Sequence, residues 1–389
     1  MRKIKICFVL GTRPEAIKLA PVILSCNASP FLEPIIIYTS QHKEMGQKFL
    51  DVFDIPIHYI LPPPPGDRSL GILTSHILEM LEKPYHNDCP GLTIVQGDTT
   101  SALCGALNSF YHKVPVAHVE AGLRTYSPLQ PFPEEMNRTI IGRIARLHFA
   151  PTITAHENLL REGINHQNIE LTGNTVVDAL HIISSRTDFF QDKKLREAWE
   201  SDFDHAVTVT AHRRENWEGG VRRIALALQD LTVRFPRTRF FFSIHPNPHL
   251  RREVEDVLGD TEGIILLDAL GYEDFILLLS KSSLAISDSG GVQEEAPSLG
   301  VPVVVTREHT ERPEVIEAGW GVLVGADRIK IFEAVCAYLE GKKKTGNKTS
   351  LFGDGRASNR IVFRISEYLG CTDTVNLPRP PPWPSTDEK

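Results

Sequence analysis

Short apolar runs recur along the chain, and each leads into a longer stretch in which apolar residues return every third or fourth position. Runs of about four to eight apolar residues suit strands buried on both faces, and the longer spacing suits helices with one buried stripe. Strands are predicted over residues 5–10, 34–39, 92–96, 114–119, 147–150 and 169–171. The alternation restarts after Gly173, with strands predicted over 206–210, 240–244, 264–267, 284–287 and 302–305. Strands alternating with helices in this way build parallel sheets covered by crossover helices, so the class is α/β.

The restart predicts a first domain over residues 1–172 and a second over 173–355. Residues 356–369 read as a late amphipathic helix that, within a segment 356–370, crosses back to the first domain. The tail 371–389 is rich in proline, lacks the N–H donors a sheet needs, and is expected to be disordered. Pro62 to Pro65 mark a stiff loop inside the first domain.

Length supports the division, because 389 residues exceed what one core usually serves at about 150 residues per domain. A formal charge of −7 offers no general attraction to nucleic acid or an anionic membrane. Any anionic ligand must therefore be held by locally placed cations. The basic run Lys342, Lys343 and Lys344 reads as a solvated loop. Cys7, Cys26, Cys89, Cys104, Cys336 and Cys371 contain no close pair, so neither a zinc site nor a disulfide framework is expected, and a reducing, cytoplasmic compartment fits. The first apolar run is too short for a signal segment, and no run approaches the roughly 20 apolar residues of a membrane span.

Candidate chemistry gathers where predicted strands end, which is where open parallel sheets bind ligands. The first such junction reads Gly11-Thr12-Arg13-Pro14-Glu15-Ala16, with Pro14 suited to a first helical turn. Arg13 and Lys18 could there face a diphosphate, although Arg13 taken alone reads equally as a surface arginine. The junction lacks the G-x-G-x-x-G pattern of a dinucleotide site, so no nicotinamide cofactor is expected and the chemistry must proceed without hydride transfer.

Asp98 in Gly97-Asp98-Thr99-Thr100 and Glu120 in His118-Val119-Glu120-Ala121-Gly122 each follow a predicted strand. Glu134, Glu135 and Arg138 open a predicted helix. Singly these acids read as caps or turn residues. Converging on one crevice they would repel one another, raise their own pKa values and prepare acid and base roles.

In the second half, His212 with Arg213 and Arg214 follows a strand, which fits phosphate binding or acid–base work as well as a structural role. The strongest local signal is Ser287-Asp288-Ser289-Gly290-Gly291-Val292-Gln293-Glu294-Glu295, a strand turning into a helix through two glycines. Its N–H groups and the Ser289 hydroxyl suit an anion, and Glu295, one turn on, suits ribose hydroxyls; a plain capping turn is the alternative. Arg312 offers a further cation after a strand, or a surface salt bridge.

Taken together, GTRPEAIKLAP, QGDTT, HVEAGLR, FPEEMNR, LTGNTVVDAL, AHRREN, DSGGVQEEAPSLG and ERPE closely resemble the non-hydrolysing UDP-N-acetylglucosamine 2-epimerase family, in order from about residue 3 to 369. The resemblance implies the GT-B glycosyltransferase architecture, two Rossmann-like doubly wound domains facing a central cleft, with no cofactor and no metal. It implies that Ser289, Gly290, Gly291, Arg13 and Arg312 meet the diphosphate, Glu295 the ribose, and Phe275 with the Leu270 backbone the uracil. Asp98, Glu120, Glu134, Lys18 and His212 would surround the sugar, with Arg138 orienting the acids. UDP-N-acetylglucosamine and UDP are the implied partners, the implied assembly is a homodimer, and the implied role is supply of N-acetylmannosamine-type sugars for surface polysaccharide.

The implied chemistry explains an acid-rich site for an anionic substrate. The hydrogen on carbon 2 has no neighbouring ketone, so its removal first requires departure of UDP and oxocarbenium character at carbon 1. A closure of the two domains about a hinge near Gly173 would retain the resulting glucal. Some relatives use a second UDP-N-acetylglucosamine as activator; Gln41, Arg68, Glu135 and His245 are the candidates here, while Glu44 stands where such relatives carry glutamine. A hydrolysing epimerase and a GT-B glycosyltransferase are the rival readings, and a non-enzymatic nucleotide-sugar sensor is a third.

Overall fold

In the computed structural model, residues 3–41, 50–66, 69–186, 188–213, 216–217, 219–244, 247–343, 350–371 and 379–384 are described. They form two compact units, one comprising Met1–His181 and Phe352–Lys389 and the other Ile182–Leu351.

Unit 1 holds a parallel sheet of strands β1 (Ile4–Leu10), β2 (Leu32–Tyr38), β3 (Tyr59–Ile60), β4 (Leu92–Gln96), β5 (Val116–Val119), β6 (Leu147–Ala150) and β7 (Ile169–Leu171), in the order β3-β2-β1-β4-β5-β6-β7. Residues 6–10 of β1 are at most 2% exposed, the double-sided burial that its unbroken apolar run predicts. Helices α1 (Arg13–Ala28), α2 (Leu70–Asp88), α3 (Thr100–Tyr111), α4 (Glu134–Ile144) and α5 (Ile153–Arg161) lie between strands. Strand order reverses between β1 and β4, so the loops that follow those two strands flank the crevice where such sheets take ligands.

Unit 2 repeats the plan with β8 (His205–Ala211), β9 (Thr238–Ile244), β10 (Ile264–Leu267), β11 (Leu284–Ser287), β12 (Val303–Val305) and β13 (Gly321–Leu323), ordered β10-β9-β8-β11-β12-β13. Its core gathers Val207, Val209, Phe240, Phe242, Ile286 and Val304 under α8 (Gly220–Arg234), α9 (Pro248–Leu258) and α13 (Arg328–Leu339), which follow α6 (Thr175–Ser184) and α7 (Lys193–Trp199) in the chain. The reversal here falls between β8 and β11, whose register pairs Thr210 with Ser287.

Each predicted strand is present, with ends shifted by a residue or two. The edge strands β3 and β13 were not predicted. The division between units also lies later than residue 173. Gly173, at φ +83°, is packed within unit 1: a Cβ there would lie 3.0 Å from Gly353 Cα. The N–H of Asn174 donates to Phe352 O at 2.6 Å. Asp178 then accepts from the N–H groups of Ala357 and Ser358, at 3.2 and 2.8 Å, where α14 (Ala357–Tyr368) begins. The first two turns of α6 are thereby committed to unit 1.

The tail is not loose throughout. Trp383 is 7% exposed, Arg360 Nε donates to Pro381 O at 2.7 Å, and Arg379 pairs with Glu170 at 3.5 Å, so residues 379–384 pack on unit 1. A proline-rich segment cannot join a sheet, but its carbonyls can still accept from an arginine. No helix among the described residues is long and apolar enough to cross a membrane.

Candidate active site

In unit 1 the segments after β1, β4 and β5 and the start of α4 carry the predicted acids and the cations that pair with them. Gly11 ends β1 where a side chain has no room, since a Cβ would lie 2.1 Å from Ser101 Oγ and Thr39 Oγ1. Pro14 occupies the first turn of α1, beside Arg13. Lys18, on the same helix and 7% exposed, extends its Nζ to Glu120 Oε1 at 2.6 Å.

Glu120 follows β5 with φ +63°, a left-handed backbone that costs a non-glycine residue about 1–2 kcal/mol. Its carboxylate also accepts from Gln96 Nε2, at the end of the neighbouring strand, and from Asn174 Nδ2 at 3.4 Å. It lies 3.8 Å from where a Cβ at Gly97 would stand, and so against the turn that carries Asp98.

Asp98 is paired with Arg138 at 2.5 Å, and its carbonyl accepts from Asn137 Nδ2 at 2.8 Å, so α4 is tied to this turn twice. Glu134 opens α4 one turn before Arg138. The mutual repulsion expected among the acids is not what sets their surroundings, because Asp98 and Glu120 each lie against a cation of their own.

Behind these groups, burial pushes the His118 imidazole down to about 3, and its Nε2 meets Gly97 O at 2.7 Å. The ring is therefore neutral, with its proton on Nε2, and props the Asp98 turn from below. Burial also pushes Glu15 up to about 7.

Unit 2 carries the second set of predicted residues. Because β8 and β11 are adjacent and in register, Asp288 after β11 lies beside His212 after β8. Asp288 is fully buried and accepts from the N–H groups of His212 and Arg213 and from Asn216 Nδ2, at 3.0, 2.9 and 2.9 Å. The His212 ring nitrogen Nδ1 is 3.3 Å from Asp288 Oδ1, so one carboxylate sets both the loop and the imidazole.

Helix α11 (Gly290–Ser298) starts at the two glycines, with Ser289 as its N-cap. A Cβ on Gly290 would lie 3.2 Å from Arg312 Nη1 and 3.6 Å from Arg213 Nη2, so two guanidinium groups flank the positive end of this helix. Gly291 is different, since a Cβ there meets nothing closer than 3.7 Å. Arg312, before α12 (Pro313–Glu317), is held by Glu294 at 2.8 Å and Glu311 at 2.6 Å.

Glu295 reaches back toward Gly291 and accepts from the Tyr272 hydroxyl at 3.2 Å. Leu270 and Phe275, each 7% exposed, lie just before and on α10 (Tyr272–Lys281).

Of the four activator-site candidates, Gln41 accepts from the Ser101 N–H and hydroxyl at 3.0 and 2.7 Å. Glu135 accepts from the N–H groups of Thr125 and Tyr126 at 3.1 and 2.9 Å. Both thus hold loops of unit 1. Arg68 and His245, together with Glu44 and Arg214, lie outside the described residues.

Sequence reasoning missed Glu15, Gln96, Asn174 and Asp288 as site residues. Each stands inside a quoted motif or next to one, but only strand adjacency shows what it touches. Among the described residues no group of three or more His, Cys, Asp or Glu side chains could hold a metal ion.

Residues 24–366 match the model of a family described as UDP-N-acetylglucosamine 2-epimerase. The chain is 40% identical to the UDP-N-acetylglucosamine 2-epimerase of Escherichia coli (strain K12) over 367 residues, which is 92% of this chain and 97% of that one. The crystal structure of the Neisseria meningitidis UDP-GlcNAc 2-epimerase bound to UDP-GlcNAc is similar with a TM-score of 0.86 and 38% identity, covering 94% of this chain and 100% of that one. That of the Methanocaldococcus jannaschii enzyme in complex with UDP-GlcNAc and UDP gives 0.80 and 36%, with the same coverage. The fold is therefore the α/β, GT-B-like one of these neighbours, and the chain belongs to the UDP-N-acetylglucosamine 2-epimerase family.

Proposed function

We propose that the chain interconverts UDP-N-acetylglucosamine and UDP-N-acetylmannosamine by eliminating and re-adding UDP, without net hydrolysis. The observation that carries this reading is the pairing of Glu120 with Lys18 against the turn that leads into Asp98, itself paired with Arg138, so that two cation-held carboxylates belong to adjoining loops. Such a set suits a developing oxocarbenium ion and the removal of a neighbouring proton, and has no evident use in simple nucleotide binding.

Unit 2 supplies the groups for UDP: Ser289, Gly290, Gly291 and Arg312 for the diphosphate, together with Arg13, then Glu295 for the ribose, and Phe275 with the Leu270 backbone for uracil. As the carbon 1–oxygen bond breaks, its electron pair leaves with UDP and positive character appears at carbon 1. A carboxylate among Asp98, Glu120 and Glu134 takes the proton from carbon 2, leaving 2-acetamidoglucal and UDP. Proton return to the opposite face and re-addition of UDP give the epimer. Lys18 and Arg138 hold the carboxylates in place, and the Asp288-held His212 faces the departing phosphate. The same reading makes the chain a cytoplasmic homodimer that feeds N-acetylmannosamine-type sugars to surface polysaccharide.

Incubation with UDP-N-acetylglucosamine in deuterium oxide, followed by proton NMR, tests the proposal. Expected are both UDP-sugars with deuterium at carbon 2. Free N-acetylmannosamine with stoichiometric UDP would identify a hydrolysing enzyme instead, and a carbon 2 that keeps its hydrogen would exclude the elimination.

A further inference from the structure

Glu15 is fully buried and has no surface from which to meet a ligand, yet its carboxylate accepts hydrogen bonds from two separate loops of the unit 1 crevice. The order Thr12-Arg13-Pro14-Glu15 has the spacing of a capping box, in which the threonine side chain would accept from the helix N-terminus. Here Thr12 makes no side-chain cap. Its hydroxyl donates instead to Glu15 Oε2 at 2.7 Å, and the Gly11 N–H donates to the same oxygen at 3.0 Å.

The second oxygen leaves the helix altogether. Oε1 accepts from the Thr99 hydroxyl at 2.6 Å, across 84 positions of chain and across the point where the strand order reverses. Thr99 in turn accepts from the Ala102 N–H at 3.0 Å and so caps α3. One carboxylate thus clasps the starts of α1 and α3. Arg13 lies between Thr12 and Glu15, and Asp98 directly precedes Thr99.

We propose that Glu15 is a positioning residue that holds the Arg13 loop and the Asp98 loop in register, so that the cation for the diphosphate and the acid for the sugar address one substrate together. This rests on the function proposed above. A carboxylate accepts from both loops at once, whereas an amide of equal size keeps one acceptor oxygen and must donate to the Thr99 hydroxyl, which already accepts from the Ala102 N–H and whose own O–H then loses its acceptor.

The test compares Glu15→Gln with wild type for turnover of UDP-N-acetylglucosamine, UDP affinity by calorimetry and Tm. Expected is a kcat lower by about tenfold or more and UDP affinity weaker by about threefold, with little change in Tm. A merely structural role would lower Tm and leave kcat per folded molecule unchanged, and that result overturns the proposal.

The other end of the clasp gives an independent reading should Glu15→Gln fail to fold. Thr99→Ser, which keeps the hydroxyl, is expected to retain turnover within about threefold, while Thr99→Val loses about tenfold; equal activity of the two overturns the proposal. Combining Glu15→Gln with Thr99→Val is expected to be no worse than the poorer single variant, because both break one bond, and multiplied losses overturn it. If the wild type exchanged no deuterium, the functional reading would fall and UDP affinity alone would still test the clasp. If the wild type turned over and all the variants matched it, the clasp would fall and the function would stand.

Discussion

Lys18 and Glu120 form an ion pair at 2.6 Å across 102 positions of chain, with side chains only 8% and 6% exposed. A buried pair of this kind adds little over an apolar pair of equal volume, but removing one partner strands the other charge.

Lys18→Met is therefore expected to destabilise the protein by about 3–5 kcal/mol, and Lys18→Met with Glu120→Gln by less than the sum of the two single changes. Urea unfolding of the three variants measures the coupling. Strict additivity would mean that the two side chains are not held together.

At the other crevice, Asp288 is the common acceptor for His212, Arg213 and Asn216. Asp288→Ala leaves these donors without their partner and should cost about 2–3 kcal/mol. The His212 imidazole also loses its guide, so kcat should fall by about a hundredfold in the part of the protein that remains folded. Urea unfolding combined with turnover per folded molecule separates the two effects.

The two glycines that open α11 should respond differently. Gly290→Ala drives a Cβ to 3.2 Å from the Arg312 guanidinium and should lower both Tm and UDP affinity. Gly291→Ala makes only ordinary contacts within the protein. Its Tm should hold while UDP binding weakens by about tenfold, if the diphosphate approaches the helix as closely as proposed. Unchanged UDP affinity in Gly291→Ala, read by calorimetry, would move the diphosphate elsewhere.

His118 predicts a pH dependence of folding. Its ordinary value of 6.5 applies in the unfolded chain, whereas burial holds it to about 3 in the fold. Between these values the unfolded state binds one more proton, so the contribution is fully present above pH 6.5 and is lost as pH falls toward 3. His118→Asn removes that proton difference. Its stability should change less steeply across the window than that of the wild type, by about 1.4 kcal/mol per pH unit, in denaturant titrations at a series of pH values.

The strands and the positions of most candidate residues were legible along the chain, because a strand buried on both faces must be written as an apolar run, and a crossover helix needs its own stripe. Ser289, Gly290 and Gly291 announced the start of α11, since a turn through two glycines into a helix depends on residues that are neighbours in sequence. Arg13, Asp98, Glu120 and His212 could likewise be placed at strand ends.

What each of them touches could not be read there. That Glu120 meets Lys18, Gln96 and Asn174, that Asp98 meets Arg138, and that Asp288 steers His212 all depend on which strands lie side by side, as β1 beside β4 and β8 beside β11 do. The domain division moved for the same reason, because the hold of Asp178 on the start of α14 joins residues 180 positions apart. Local pattern determines which element forms, for it is set by residues a turn or a pleat away. The surroundings of a charge are decided by strand order, which unites distant residues only once the chain has folded.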